Sequence, residues 1–323
     1  MKKTITLFAL AFGSTLAIAQ QDPQFSHYMN NKLFVNPAYA GIRKALCFSA
    51  IFRNQWNGFD GAPNSGIFSA DLALPENGGV GLNVMFDKLG FEKNISFRGN
   101  YSRHFTLPNN GILAAGVEIG GFSKRVGPTG NQQWVATTNW QSDGTIPPLL
   151  KKTVLDMGLG LWYQDARKWF GISASHLNGK TIDDGTSMTG TFSHNLIYQM
   201  ARHYYITGGA NIYASPDWEI KPSFLLKTDA SVASIEMSAI ALYKKRFWFG
   251  ASYRLMDAVI PMAGIIIPTS QTNPDLGLKL GFSYDYTTSE LKNYNNGSFE
   301  VFLNYCIPYE WIYGNHFDVR SFW

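Results

Sequence analysis

Apolar and polar residues alternate one by one in many segments of this chain, and this pattern limits the fold more than any other feature. In the segment 298–307 every second residue is apolar, whereas Glu300 and Asn304 lie between the apolar ones. Because successive side chains of a strand point to opposite faces, the alternation predicts strands with one apolar and one polar face. After residue 19, no apolar run approaches the ~20 residues that a membrane helix needs. If the chain crosses a membrane, it must therefore cross it as a closed β-barrel.

Composition favours a membrane barrel over a soluble β-sandwich, which alternates in the same way. Charged residues make up 15% of the chain and aromatic residues another 15%. Soluble domains usually carry charge on about a quarter of their residues. The mean hydropathy is only −0.11, which argues against a bundle of membrane helices. Many segments of on the order of ten residues, with aromatic residues at their ends, are typical of transmembrane strands.

We predict an all-β fold, a transmembrane antiparallel β-barrel of about 14 strands with an N-terminal plug or cap segment. The predicted strands lie near 45–56, 65–74, 78–90, 94–107, 111–126, 154–165, 168–178, 202–214, 218–228, 233–245, 247–255, 258–267, 276–288 and 298–307. Connections after even strands are short, and the two longest, 127–153 and 179–201, follow odd strands. Met256-Asp257 and 268–275 depart from this trend. Bacterial barrels keep long loops outside, so we predict that both chain ends are periplasmic.

The N-terminus has the features of a signal peptide. Lys2 and Lys3 precede an apolar run that is too short to span a bilayer well, and Ala17-Ile18-Ala19 offers a small-x-small cleavage site. The predicted divisions are a signal peptide (1–19), a plug or periplasmic cap segment (20–44), an outer-membrane barrel (45–308) and a periplasmic tail (309–323). We expect the tail to be an extension that docks onto a partner.

The sequence contains no pattern typical of an enzyme, a metal site or a nucleic-acid-binding module. The histidines do not form a ligand motif such as His-x-x-x-His with a nearby acid, so we predict no catalytic, cofactor or metal residues. The six are His27, His104, His176, His194, His203 and His316. Asp183-Asp184-Gly185 is either a Ca²⁺ ligand or a solvated turn, and we expect the turn. The net charge of +4 is mild and its cations are scattered, so no nucleic acid is expected.

Two stretches near the N-terminus resemble the opening signature of the PorP/SprF family of type IX secretion proteins. They are Gln21-Asp22-Pro23-Gln24-Phe25-Ser26-His27-Tyr28-Met29 and Asn36-Pro37-Ala38-Tyr39-Ala40-Gly41. The hexapeptide is specific, and further Gly/aromatic matches run along the chain, such as Gly158–Tyr163 and Phe247–Arg254. Asn31-Lys32-Leu33 departs from the family, which has a more apolar Asn-Pro-Leu at this place.

The resemblance implies a non-enzymatic outer-membrane barrel that receives or anchors secreted cargo at the cell surface. Cargo in this family carries a type B C-terminal sorting domain and includes the adhesins of gliding motility. The implied partners are that sorting domain, other type IX secretion components, periplasmic lipoproteins and outer-membrane lipid. The alternative is a transport channel for small or hydrophobic molecules, since a barrel of this size can have a partly plugged lumen.

Three groups of residues are candidates for a structural or partner-binding role. The N-terminal candidates are Asp22, Pro23, Gln24, Phe25, Asn36, Pro37, Ala38, Tyr39, Ala40 and Gly41. The segment that contains them either plugs the lumen and docks a partner or is an ordinary cap. Trp134 and Trp140 lie in loop 127–153, which either contacts cargo or folds inward to narrow the pore. Cys47 and Cys306, near the same ends of neighbouring first and last strands, form either a disulfide or two unpaired thiols.

Overall fold

The structure, a computed structural model, describes residues 22–75, 77–127, 150–183, 197–268 and 276–308. The predicted signal peptide, the predicted C-terminal tail, Trp134 and Trp140 lie outside the described residues. Within these ranges, one short helix, α1 (Lys32–Val35), and two 3-10 turns, Pro37–Tyr39 and Glu290–Asn293, accompany the strands. Within the described ranges, no helix is long and apolar enough to cross a membrane.

Strands account for most of the described residues. They are β1 (Ala45–Asn54), β2 (Asn64–Leu74), β3 (Gly78–Leu89), β4 (Glu92–Thr106), β5 (Ile112–Val126), β6 (Leu150–Gln164), β7 (Lys168–Ser175), β8 (Thr181–Asp183), β9 (Ile197–Gln199), β10 (His203–Ala210), β11 (Ile212–Ser215), β12 (Trp218–Thr228), β13 (Ala233–Tyr243), β14 (Phe247–Arg254), β15 (Ala258–Pro268), β16 (Gly277–Thr287) and β17 (Ser298–Pro308).

The sheet closes into an antiparallel barrel of 14 strands, as the sequence predicts. Neighbouring strands pair in chain order, β1 pairs with β17, and β10 pairs with both β7 and β12. β10 and β11 form one barrel strand that is interrupted at Asn211. β8 and β9 form a separate hairpin inside the predicted loop 179–201, which the sequence analysis missed. Pairing of β1 with β17 closes the ring, which removes the open sheet edge that lipid does not tolerate.

Alternation along the strands separates an apolar outer face from a polar inner face. In β4, Phe97 and Tyr101 are 55% and 47% exposed, whereas Ser96, Arg98 and Asn100 on the opposite face are buried. Apolar side chains on the outer face of a membrane barrel contact lipid rather than water, so their exposure there carries no hydrophobic penalty. The predicted faces of β17 are confirmed, since Glu300 and Asn304 point inward and Val301 and Leu303 outward.

The connections differ in length at the two ends of the barrel. Ranges 55–63, 127–149 and 176–202 connect strands at one end, which we call the long-loop end, and 75–77, 165–167 and 216–217 connect strands at the opposite, short-turn end. Pro308 lies at the short-turn end with the start of β1. Asp22 instead contacts His176, which directly follows β7 at the long-loop end. The described part of the chain therefore begins at the long-loop end and ends at the short-turn end. The predicted placement of both chain ends on one side concerns residues outside the described ranges.

Cys47 and Cys306 lie directly opposite each other where the first and last strands pair, and a disulfide joins them. Both side chains are fully buried on the inner face, beside Ala45 and Leu276. The bond links residues that are 259 positions apart in the sequence. It therefore covalently staples the closure of the ring at the short-turn end.

We expect Cys47→Ser to lower the free energy of unfolding by about 4 kcal/mol, because the chain without the bond gains more conformational entropy when it unfolds. The upper end of the usual range applies because the bond joins residues 259 positions apart. Alkylation of denatured wild-type protein should label no thiol without reductant and both thiols with it. Labelling of two thiols in unreduced protein would reject the staple.

Candidate functional site: the N-terminal segment and the inner face of the barrel

Residues 22–44, which we call the N-terminal segment, run along the inside of the barrel from the long-loop end to the short-turn end. Asp22 contacts Tyr205 in β10, and the carbonyl of Ala40 contacts His104 near the end of β4. Hydrogen bonds or packing contacts join the segment to strands on every side of the ring. A single segment can reach all sides of a closed ring only from within it.

The segment fits tightly against the inner face. Phe25, Tyr28, Leu33 and Val35 are each 5% exposed or less. A cavity between the segment and β10 and β12 has a volume of about 20 Å³, space for roughly one water molecule. The segment therefore leaves little free space in this part of the interior.

The hexapeptide Asn36–Gly41 lies at the short-turn half of the interior. The Asn36 side chain accepts a hydrogen bond from the Ala38 amide at 2.9 Å, which caps the 3-10 turn that starts at Pro37. Its amide nitrogen donates to the carbonyls of Leu161 at 2.9 Å and Ile172 at 3.1 Å, on the neighbouring strands β6 and β7. One asparagine thus caps the turn and also hydrogen-bonds to two barrel strands. Aspartate could not do both, because it lacks an N–H donor.

Glycines in the wall leave room for the hexapeptide. A Cβ at Gly116 in β5 would lie 2.5 Å from the Ala38 Cα, and one at Gly79 in β3 would lie 2.6 Å from the Gly41 Cα. Gly41 itself has a φ of +75°, a left-handed conformation that glycine adopts at little cost, and the chain turns there toward β1. Backbone therefore packs directly on backbone at these positions.

Tyr39 and Lys32 attach the same region to two stacked tryptophans. The Tyr39 ring packs edge-on against Trp162 at 5.0 Å between centroids, and Trp162 stacks on Trp169 at 5.0 Å. The Lys32 ammonium lies 4.1 Å from the Trp169 ring centroid, a cation–π contact. Burial of these rings supplies the apolar part of the attachment.

A cluster of buried charges holds the residues around Ser26 and His27. The Glu300 carboxylate accepts hydrogen bonds from the Ser26 amide at 2.9 Å, the His27 amide at 2.8 Å and the Arg53 guanidinium at 3.3 Å. The His27 ring nitrogen Nδ1 lies 2.6 Å from the same carboxylate. Burial of a carboxylate is costly unless it is paired and hydrogen-bonded, and here four partners meet it.

The cluster continues across the inner face to Arg254 in β14. Arg53 and Arg254 both contact Asp285, at 2.6 and 3.1 Å, and Arg254 also contacts Glu236 at 2.9 Å. The Ser26 hydroxyl accepts from Arg254 at 2.8 Å. Two arginines and three carboxylates on five strands therefore surround two residues of the N-terminal segment.

A second buried cluster surrounds Asp22 at the long-loop end. One carboxylate oxygen lies 3.0 Å from Nε2 of His176, and the other accepts a hydrogen bond from the Tyr205 hydroxyl at 2.7 Å. His176 contacts Asp156 at 3.0 Å through its other nitrogen, Nδ1. Lys227 donates to the Asp22 backbone carbonyl.

The charges in this second cluster shift the pKa values of its members. Burial raises the pKa of Asp22, but His176, His203 and Lys227 outweigh burial and hold it well below the ordinary value. Burial lowers the pKa of His176, but the carboxylates of Asp22 and Asp156 outweigh it and raise the pKa above the ordinary value. With no other cation between these carboxylates, His176 is therefore protonated at neutral pH.

The structure places all ten N-terminal residues that the sequence analysis singled out inside the barrel, in two separate groups. Asp22, Pro23, Gln24 and Phe25 lie in the long-loop half, and residues 36–41 in the short-turn half. The sequence analysis did not predict which inner-face charges meet the N-terminal segment: Arg53, Asp156, His176, His203, Glu236, Arg254, Asp285 and Glu300. A sequence signal for an inward-facing charge was available: a charged residue at a polar position of an alternating strand, as at Glu300.

Comparison with known families identifies the chain. Residues 17–305 match the model of a family described as type IX secretion system membrane protein PorP/SprF. The chain belongs to the PorP/SprF family. The resemblance predicted from the two N-terminal stretches is confirmed, and the match extends over nearly the whole barrel. No curated protein matches the chain in sequence.

Solved structures with a similar fold are outer-membrane barrels of distant sequence. A FadL homologue of Pseudomonas aeruginosa is 10% identical with a TM-score of 0.51, over 92% of this chain and 96% of that one. The CymD monoaromatic hydrocarbon channel is also 10% identical, with a TM-score of 0.49 over 86% of this chain and 92% of that one. At this identity the likeness to the FadL homologue supports the barrel fold alone.

Proposed function

We propose that this PorP/SprF protein is a non-enzymatic outer-membrane barrel that receives or anchors type IX secretion cargo at the cell surface. The cargo would carry a type B C-terminal sorting domain, as gliding adhesins do. The observation that carries the proposal is the family match over residues 17–305, on a membrane barrel whose interior is occupied by its own N-terminal segment. A barrel filled in this way is better suited to hold a partner than to pass solutes.

The N-terminal segment acts in this proposal as a structural plug. The side chains of Asp22 and Asn36, in its two halves, hydrogen-bond to the inner face, so the barrel itself holds the segment in place. Residues 1–19 act as a signal peptide, and the long-loop end faces outward. The short-turn end and the tail 309–323 then face the periplasm, where other secretion components and lipoproteins are available.

Cargo binding is tested by affinity purification of the tagged protein from solubilised outer membrane, followed by mass spectrometry. We expect a large surface protein with a type B sorting domain to be recovered. Removal of residues 130–148, which contain Trp134 and Trp140, should abolish recovery. Removal of residues 270–274, from a connection at the opposite end, is the matched control and should leave recovery intact. Equal recovery with both deletions would contradict cargo contact at the long-loop end.

Deletion of residues 22–41 is expected to convert a closed barrel into a conducting one, since barrels of intermediate strand number have room for an aqueous path once the lumen is emptied. We expect conductance in planar bilayers to rise about tenfold or more over the full-length protein. Full-length protein that already conducts as well as the deletion variant would favour a transport channel instead.

A further inference from the structure

Three potential metal ligands converge at the long-loop end of the N-terminal segment. Asp22, His176 and His203 each offer one ligand atom, and these atoms lie within 4.8 Å of one another. The three side chains are 5%, 2% and 0% exposed. The Asp22 carboxylate lies 3.0 Å from Nε2 of His176, which is close to the roughly 3.3 Å that separates two ligands of a tetrahedral zinc ion.

Each of the three side chains has a partner of the kind that orients a metal ligand. Nδ1 of His176 lies 3.0 Å from the Asp156 carboxylate, and Nδ1 of His203 lies 3.2 Å from the Ala201 carbonyl. The second oxygen of Asp22 accepts from the Tyr205 hydroxyl. Ligating histidines commonly donate their other ring nitrogen to a carboxylate or a carbonyl, which fixes the tautomer that binds metal.

The His203 ring lies beside the Asp22 carboxylate, with Nδ1 4.0 Å from its second oxygen. Its Nε2 is buried and has no hydrogen-bond partner among the described residues. Donation from Nδ1 to the Ala201 carbonyl makes Nε2 the unprotonated nitrogen, which is the form that coordinates a metal. A buried nitrogen without a partner is unfavourable, and coordination would remove that penalty.

We propose that Asp22, His176 and His203 bind a divalent transition metal ion, with Zn²⁺ the best fit. Two imidazoles and one carboxylate are typical of zinc sites with three protein ligands, which leave a position for water or another ligand. Lys227 contacts the backbone carbonyl of Asp22 and leaves its carboxylate to the metal. The ion would join the start of the N-terminal segment to the ends of β7 and β10.

The sequence analysis predicted no metal site because the three ligands are far apart in the chain and match no spacing motif. The competing interpretation of the same residues is a charge clamp, in which a protonated His176 occupies the place of the metal between Asp22 and Asp156. The two differ in one observable: only the metal site holds zinc in proportion to protein.

The test is the zinc content of full-length protein carrying a tag without histidine. Protein in detergent is incubated with Zn²⁺, dialysed against buffer and analysed by inductively coupled plasma mass spectrometry. We expect one zinc per chain in the wild type and less than about a tenth of that in His203→Ala. Asp156→Asn should weaken binding about 10–100-fold, since it removes an orienting partner of His176. His104→Ala, at the other end of the segment, should bind as the wild type does.

Folding of each variant is checked by heat-modifiable migration in SDS gels. If His203→Ala does not fold, X-ray absorption at the zinc edge of the wild type replaces it, and two imidazole ligands are expected. Wild type without zinc, wild-type zinc content in folded His203→Ala, or a zinc spectrum without imidazole would each overturn the proposal. Cargo recovery is not part of this test, so its failure and that of the proposed function are distinguishable.

Discussion

Replacing Glu300 with glutamine is expected to lower the free energy of unfolding by about 3–5 kcal/mol, the usual cost of removing one partner from a buried charge pair. Glu300 is fully buried and accepts from the Ser26 amide, the His27 amide and Arg53. Glutamine keeps the size of the side chain but loses the charge, and it turns one acceptor into a donor that faces these donors. Guanidinium titration of the protein in phospholipid vesicles, followed by tryptophan fluorescence, measures the effect.

The same substitution should free part of the N-terminal segment. Hydrogen exchange at Ser26 and His27 is expected to speed up, because their amides lose their acceptor. Glu290→Gln, at an exposed glutamate in the turn between β16 and β17, is the matched control and should change stability by less than about 0.5 kcal/mol. A Glu300→Gln protein as stable as this control would show that the charged cluster does not hold the segment.

The barrel could be predicted from the sequence because its signal is local. Alternation in a segment such as 298–307 depends only on that segment, and the outer face needs nothing more specific than apolar side chains. Strand ends are harder to predict from such a local pattern. β6 starts at Leu150 rather than at the predicted residue 154, because Lys151 and Lys152 interrupt the apolar alternation. In the structure these lysines extend the strand beyond the apolar part.

The inner face could not be predicted because its signal is not local. Ser26 and Glu300 meet across 274 positions of sequence, and Asp22 and His176 across 154. Alternation says that a charged residue points inward, but not which residue of the N-terminal segment meets it. The path of that segment, from the long-loop end to the short-turn end, follows only from the set of partners around Asp22 and Asn36.

Substitution of Gly116 by valine tests the fit of the hexapeptide most directly. A Cβ at Gly116 would lie 2.5 Å from the Ala38 Cα, where backbone rather than a flexible side chain stands in the way. We expect residues 36–41 to leave their place on the wall, at a cost of about 3 kcal/mol, the upper part of the range for overpacking. Limited proteolysis should then cut the N-terminal segment, which is protected in the wild type.

Gly121→Val is the matched control, because it lies on the same strand and carries the same added volume. A Cβ there would lie 3.6 Å from the nearest atom, a methyl group of Thr153, which is an ordinary van der Waals distance. Its proteolysis pattern should be that of the wild type. If folded Gly116→Val resists proteolysis equally well, the wall can accommodate the extra volume and the close backbone packing does not fix the hexapeptide. If only Gly116→Val is cut and the barrel still migrates as folded, the wall glycines are what allow this family's Asn36–Gly41 hexapeptide to stay inside.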